Sequence, residues 1–141
     1  MSESMLTIAW DPSSLGWISH LPSFQPVLSS YISQELLEIG DMLQVAMDAK
    51  TWEVFANPEG TLADSIKPFL EGPLTLIIDV EVPYAWRMEM GFFGKDSLGR
   101  LYAEEGKPYA EPSLQDNETM ILQMLNLAAA EAIADFKASQ A

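Results

Sequence analysis

The sequence predicts an α+β fold, in which a long N-terminal helix and a C-terminal helix pack on a small, mainly antiparallel β-sheet with a long Gly/aromatic loop. Apolar residues recur every three or four positions in residues 28–47 and again in residues 114–136, as in helices with one buried face. In residues 74–82 apolar and polar side chains alternate, which is the pattern of a strand lying on a core.

The first helix is predicted to begin near Pro26 and to run to about Phe55. The fixed φ of a proline suits the first helical position, and Asn57-Pro58 cannot continue a helix. Gly40 lies inside this helix, where a glycine costs about 1 kcal/mol relative to alanine. It is therefore either a site of close packing or a tolerated weak point.

Residues 1–26 are predicted to form an N-terminal arm, and residues 27–141 a single domain. Prolines and serines interrupt any long element in the arm, and only Leu6–Trp10 alternates like a short strand. Two large apolar side chains, Trp10 and Trp17, lie in this segment. They either fold back over the core or dock on a neighbouring subunit.

The middle of the chain is predicted to turn at residues 57–60 and then to form a short helical turn at residues 62–66. Thr61 and Asp64 have the spacing of a helix cap ahead of that turn. A final helix is predicted from about Ser113 to Lys137.

Composition excludes several kinds of chemistry. The chain has no cysteine and a single histidine, so disulfides, thiolate sites and multi-histidine metal sites are impossible. Its 21 acidic and 7 basic residues give a net charge of −14, which repels nucleic acid and anionic membranes. Neither a phosphate loop, a dinucleotide fingerprint nor a nucleophile elbow is present. We therefore expect no enzyme, no cofactor and no metal site.

No targeting or membrane segment is evident in the sequence. A secretory signal needs a basic start, and the first basic residue is Lys50. The most apolar long stretch, residues 120–136, is interrupted by amides and carboxylates. We expect a protein that is soluble and cytoplasmic when it is made.

Residues 83–112 differ in composition from the rest of the chain. Four of the eight glycines and four of the seven basic residues lie there, among six aromatic residues. Aromatic residues and arginine are enriched at protein interfaces. The segment either packs on its own domain or is covered by a partner, and its length favours a partner because long loops are usually functional.

Four short blocks resemble the neck and tail-completion (head–tail joining) proteins of tailed bacteriophages. The first block, residues 60–66, is similar to a Thr-Gly-x-Leu-x-x-Ser-Ile motif that follows the long helix in that family. The others are Pro83-Tyr84-Ala85 with Glu89 and Gly91, the run Asp96-Ser97-Leu98-Gly99-Arg100, and Lys107-Pro108-Tyr109 with Pro112-Ser113-Leu114. The resemblance covers residues 27–137 and leaves the arm outside.

The resemblance implies a non-enzymatic structural protein of the virion neck or tail, made in the cytoplasm of the bacterial host. It implies a homo-oligomeric ring, with six copies favoured over twelve, that joins the portal-side connector to the tail-tube or tail-terminator protein. Double-stranded DNA would pass through as a non-specific passenger, and no membrane is involved. An acidic lumen would let the duplex slide.

Two sets of residues are the candidates for these roles. The predicted subunit or ring interface comprises Tyr84, Glu89, Gly91, Phe92, Phe93, Arg100 and Tyr109. Arg100 is the candidate to pair with a neighbour's carboxylate, since a planar guanidinium suits that partner. The candidate DNA-channel acids are Glu38, Asp41, Asp48, Asp79 and Glu81.

Two alternative interpretations stay open at this point, one for the acidic face of the first helix and one for the function. The acidic face of the first helix is equally consistent with a solvated outer surface. The alternative function is that of an acidic DNA mimic, whose carboxylates imitate phosphates and inhibit a DNA-binding enzyme.

Overall fold

The computed structural model describes residues 3–54, 65–80, 89–95, 101–106 and 108–140. Two long helices dominate it: α1, Gln25–Val54, and α2, Ala110–Gln140. With 30 and 31 residues they are each about 45 Å long. The two helices run antiparallel. Phe24, just before the start of α1, contacts Phe136, near the end of α2, in an edge-to-face arrangement with ring centroids 5.2 Å apart. None of the described helices has the length and apolarity needed to cross a bilayer.

A three-stranded antiparallel sheet lies against the helices. Its strands are β1, Glu3–Ala9, β2, Ile66–Leu70, and β3, Thr75–Val80, arranged in the order β1-β3-β2. The chain turns from β2 to β3 at Gly72, whose φ of 81° is a conformation that glycine adopts without strain. The predicted α+β fold is confirmed.

The core lies between the sheet and the helices. Leu76, Ile78 and Val80 point from β3 toward the helices and are buried. Most of the other buried apolar side chains follow the helical repeat of α1 and α2, as the sequence predicts: Leu28, Ile32, Leu36, Ile39, Leu43 and Met47 on α1, and Ile121, Leu125, Ala128, Ala129, Ala132 and Phe136 on α2.

Gly40 is a site of close packing between α1 and the sheet. A Cβ atom at this position would lie 2.9 Å from Pro68 Cβ and 3.0 Å from Leu76 Cδ1. The proline ring is rigid, so it cannot move aside as a flexible side chain would. Of the two interpretations of this glycine, the close contact is the one that the structure supports.

The N-terminal residues form regular elements that pack as part of the domain. β1 pairs with β3 along its length, and residues Pro12–His20 form a 3-10 helix capped by Asp11, which accepts a bond from Ser13 N at 2.9 Å. This bond lowers the pKa of the Asp11 carboxyl. Trp10 is partly buried against the core, whereas Trp17 is 75% exposed.

Two elements differ from their prediction. Ile66 begins strand β2, where a short helical turn was expected, and residues 61–64 of that turn lie outside the described part of the chain. Part of the predicted Gly/aromatic loop is regular: β4, Gly91–Lys95, and β5, Leu101–Glu105, pair antiparallel as a separate two-stranded sheet. Adjacent phenylalanines favour strand over loop, which explains this hairpin.

We predict that Gly40→Ala destabilises the protein. Alanine contributes about 1 kcal/mol of helix propensity, but overpacking against Pro68 costs about 1–3 kcal/mol. Urea unfolding should therefore show a net loss. The reverse change at an exposed site of α1, Ala49→Gly, measures the propensity effect alone and should cost about 1 kcal/mol. A gain in stability for Gly40→Ala would contradict the close contact.

Candidate assembly surface

A buried carboxylate closes the N-terminus of α2. Glu89 is only 5% exposed, and its Oε2 accepts bonds from Tyr109 N at 2.8 Å and Ala110 N at 3.0 Å. Its Oε1 accepts a third bond from Glu111 N at 3.0 Å. These are N–H groups that the helix cannot satisfy itself, and a negative charge there also complements the helix dipole. Glu89 therefore caps α2 from 20 residues away in the sequence.

The same contact explains why α2 starts earlier than its prediction. The sequence pattern begins at about Ser113, but the capped N–H groups belong to residues 109–111. Ser113 Oγ also donates to the Tyr109 carbonyl at 2.6 Å, which ties the first turn together. α2 has this extra turn because the distant Glu89 carboxylate accepts hydrogen bonds from the N–H groups at its start.

The capping carboxylate also fixes where the β4–β5 hairpin leaves the domain. Glu89 precedes the first residue of β4 by two positions, and its side chain is bonded to the rigid end of α2. Met90, between them, is 65% exposed. A cavity of about 360 Å³ lies next to the base of the hairpin, and its lining includes Glu89 and Met90 together with Met5, Leu6 and Leu114. The base of the hairpin is thus anchored and partly apolar.

A second groove, also of about 360 Å³, runs between β1 and α2. Ile8 and Trp10 line it from the strand side, and Leu114, Ile121 and Leu125 from the helix side. Its lining also includes three carboxylates, those of Asp11, Glu111 and Glu118, and none of the described residues that line it is basic. The groove is therefore apolar inside with an acidic surround. Sequence reasoning missed it, because its two walls are about 100 positions apart.

The structure locates five of the seven predicted interface residues in one region. Glu89 and Tyr109 meet through the capping bond, and Tyr109 is fully buried within its own chain. Gly91, Phe92 and Phe93 lie in β4. Tyr84 and Arg100 lie outside the described residues. Glu89 and Tyr109 thus have roles inside the chain, and contact with a neighbour stays a prediction for the whole set.

The candidate channel acids do not share one surface. Glu38 and Asp41 are exposed on α1, and Asp48 is partly buried. Asp79 lies on the opposite face of the sheet from the helices, because it alternates with Ile78 and Val80 along β3. The residue paired with it on the neighbouring strand β2 is Lys67. Glu81 is outside the described residues. The α1 acids and Asp79 would therefore face different surroundings in any ring.

Acidic side chains are concentrated where α1 and α2 meet the solvent. Burial, and then the charges of Glu38 and Glu131, raise the pKa of the Glu35 carboxyl above its usual value. Tyr31 donates to Asp135 Oδ2 at 3.2 Å, and burial with this neighbouring charge raises the pKa of the tyrosine. One ion pair between the helices, Lys50 Nζ to Asp116 Oδ2 at 4.0 Å, offsets the repulsion at the other end.

Three comparisons with known proteins found no relative. No family model matches the chain, no curated protein matches it, and no solved structure matches it. Among the described residues, no group of three or more acidic or histidine side chains is arranged to hold a metal ion.

We predict that Glu89→Gln destabilises the protein by about 2–3 kcal/mol, because an amide group faces a buried N–H that the carboxylate satisfied. Thermal or urea unfolding measures this loss. The matched control is Glu111→Gln, in the same first turn but exposed, which should cost about 0.5 kcal/mol through the helix dipole, since the amide oxygen can still accept the exposed bond from Gln115 Nε2. Equal losses for the two variants would contradict the capping role.

We predict that Glu35→Gln stabilises the protein at neutral pH. The raised pKa means that the folded chain binds this proton more readily than the unfolded chain. Stability associated with Glu35 is therefore lost as pH rises from the unfolded-state pKa through the folded one. The gain from Glu35→Gln should vanish near about pH 3, where the glutamate is itself protonated.

The control for that variant is Glu71→Gln, at the exposed turn between β2 and β3. Urea unfolding across pH should show no comparable pH-dependent gain there. A gain from Glu35→Gln that is the same at all pH values would show that its cause is not the ionised carboxylate, which burial and then the charges of Glu38 and Glu131 disfavour.

Proposed function

We propose that this chain is a non-enzymatic structural subunit of the head–tail junction of a tailed bacteriophage. It assembles as a ring, six copies being the favoured number, between the connector and the tail tube, and lets DNA pass. The observation that carries the proposal is the bond from Tyr109 N to Glu89. It joins two of the sequence blocks that resemble the neck family, one containing Glu89 and Gly91 and the other containing Tyr109.

The β4–β5 hairpin supports a role in assembly. Its strands pair with each other as a separate sheet and with none of the other described strands. An isolated two-stranded hairpin is marginally stable in water, and its unpaired edges are templates for another chain. A hairpin held firmly at its base by Glu89 and completed by a neighbour fits a subunit of a larger particle.

The net charge supports a role in which DNA passes the subunit without binding to it. A charge of −14 on each subunit, repeated around a ring, repels phosphates and keeps the duplex from sticking. Glu38 and Asp41 are the described acids exposed on α1 that would serve this purpose if α1 faced the lumen.

Native mass spectrometry and negative-stain imaging of the purified chain test the proposal. A closed ring supports it. A monomer or dimer that binds a basic DNA-binding enzyme instead favours the DNA mimic. In the phage itself, an amber mutation in this gene should leave filled heads and finished tails that do not join, and normal particles would contradict the proposal.

We predict that Phe92→Ser with Phe93→Ser leaves the fold intact and weakens assembly, because both residues belong to β4, which pairs with β5 and with no described strand of the three-stranded sheet. Circular dichroism checks the fold, and native mass spectrometry checks the oligomer. The matched control is Phe69→Ser on β2, where the phenylalanine is 41% exposed. An undisturbed oligomer in the double variant would show that the hairpin makes no self-contact.

A further inference from the structure

The strand β1 has one edge that no described strand covers. Trp10 N donates to the Leu74 carbonyl at 2.8 Å, so the main-chain groups of Trp10 point toward β3. In an antiparallel pair the main-chain groups of successive residues point to opposite sides. Those of Thr7 and Ala9 therefore point outward, away from β3.

The opposite edge of the same sheet is blocked. Glu71 N donates to the Thr75 carbonyl at 2.9 Å, which shows that the main-chain groups of Thr75 and, by alternation, Ile77 point toward β2. Pro68 is paired across from Ile78, so its nitrogen points outward, and it carries no N–H. Proline at an edge prevents strand addition. The edge formed by β2 lacks an N–H in its middle, at Pro68, whereas the edge formed by β1 offers outward N–H groups at both Thr7 and Ala9.

The groove between β1 and α2 lies beside this open edge. Ala9, whose main-chain groups point outward, is part of its lining. An added strand would find hydrogen-bonding groups along β1 and apolar side chains from Leu114, Ile121 and Leu125. The surrounding carboxylates of Asp11, Glu111 and Glu118 select against acidic segments.

We propose that β4 of a second copy of the chain adds to this edge of β1. Residues 91–95 read Gly-Phe-Phe-Gly-Lys, a strand with two aromatic residues, one base and no acid in a chain of net charge −14. The partner strand β5 ends in Glu104-Glu105, which the carboxylates of the groove would repel. β4 has one edge paired with β5 and the other unpaired among the described strands.

This contact would be head-to-tail, because its donor strand and its acceptor groove are different surfaces of the same chain. Contacts of this kind repeat from copy to copy and close into a ring when the rotation permits. The inference rests on the proposed self-assembly and specifies the surfaces that carry it.

The substitution Ala9→Pro tests the open edge. It removes an outward N–H without removing a bond between β1 and β3, and proline is tolerated on edge strands. Sedimentation equilibrium should show self-association weakened by about tenfold or more, while the matched control Ala9→Val, which keeps the N–H, should associate as the parent does. Circular dichroism verifies that both variants are folded.

Cross-linking identifies the occupant, using the absence of natural cysteines. One preparation carries Ala9→Cys and the other carries Gly94→Cys, and a short bismaleimide is added to the mixture. Cross-linked heterodimers are expected at concentrations where the parent associates. A control mixture with Lys67→Cys, on the blocked strand β2, in place of Ala9→Cys should give few.

Three results from these variants would overturn the inference: a ring that persists unchanged in Ala9→Pro, cross-linking no better than in the Lys67→Cys control, or, in a chain that carries both Ala9→Cys and Gly94→Cys, a link only within that one chain. A persistent ring would leave the proposed function intact, because another surface would then hold the subunits together. A parent chain that stays monomeric up to about 1 mM overturns this inference, whereas joined heads and tails in the amber mutant would contradict the proposed function itself.

Discussion

The bonds from the N-terminus of α2 to the Glu89 carboxylate are the interaction on which the rest of this structure depends. They place a negative charge where the helix presents unsatisfied N–H groups, and they do so with a residue from a different part of the chain. The result is a fixed junction between the rigid two-helix layer and the β4–β5 hairpin. Without it, the hairpin would leave the domain from an unanchored segment.

The two faces of the fold differ in what they offer to another molecule. The helices display carboxylates, and burial, followed by the charges of Glu38 and Glu131, raises the pKa of the Glu35 carboxyl among them. The groove beside β1 and the β4–β5 hairpin offer other features: the groove is apolar inside its acidic surround, and β1 and β4 each have an edge that no described strand pairs with. In the assembly that we propose, the subunits meet where apolar surface and strand edges are available, and the exposed carboxylates of the helices stay in contact with solvent.

Much of the fold was predictable from the sequence, and the failures have physical causes. Regular spacing of apolar residues gave both helices, and alternation gave β3, because each pattern follows directly from the geometry of its element. Strand β2 was missed because Pro68 and its short length hide the alternation. The N-terminal residues looked like an arm, since nothing local indicates that β1 pairs with a strand 70 positions away.

The candidate site was predictable only in part. The sequence singled out Glu89 and Tyr109 through the family resemblance, but their mutual hydrogen bond needs three-dimensional knowledge. The open edge of β1 and the acidic groove left no signal, because they arise from which strands lack a partner and from two walls that are distant in sequence.

We propose that another protein chain pairs with the β4–β5 hairpin and covers it. Hydrogen–deuterium exchange of residues 91–105, compared between the dilute monomer and the assembled form, tests it most directly. We predict rapid exchange in the monomer and strong protection on assembly, with α1 little changed. Equal protection of the hairpin in both forms would contradict it.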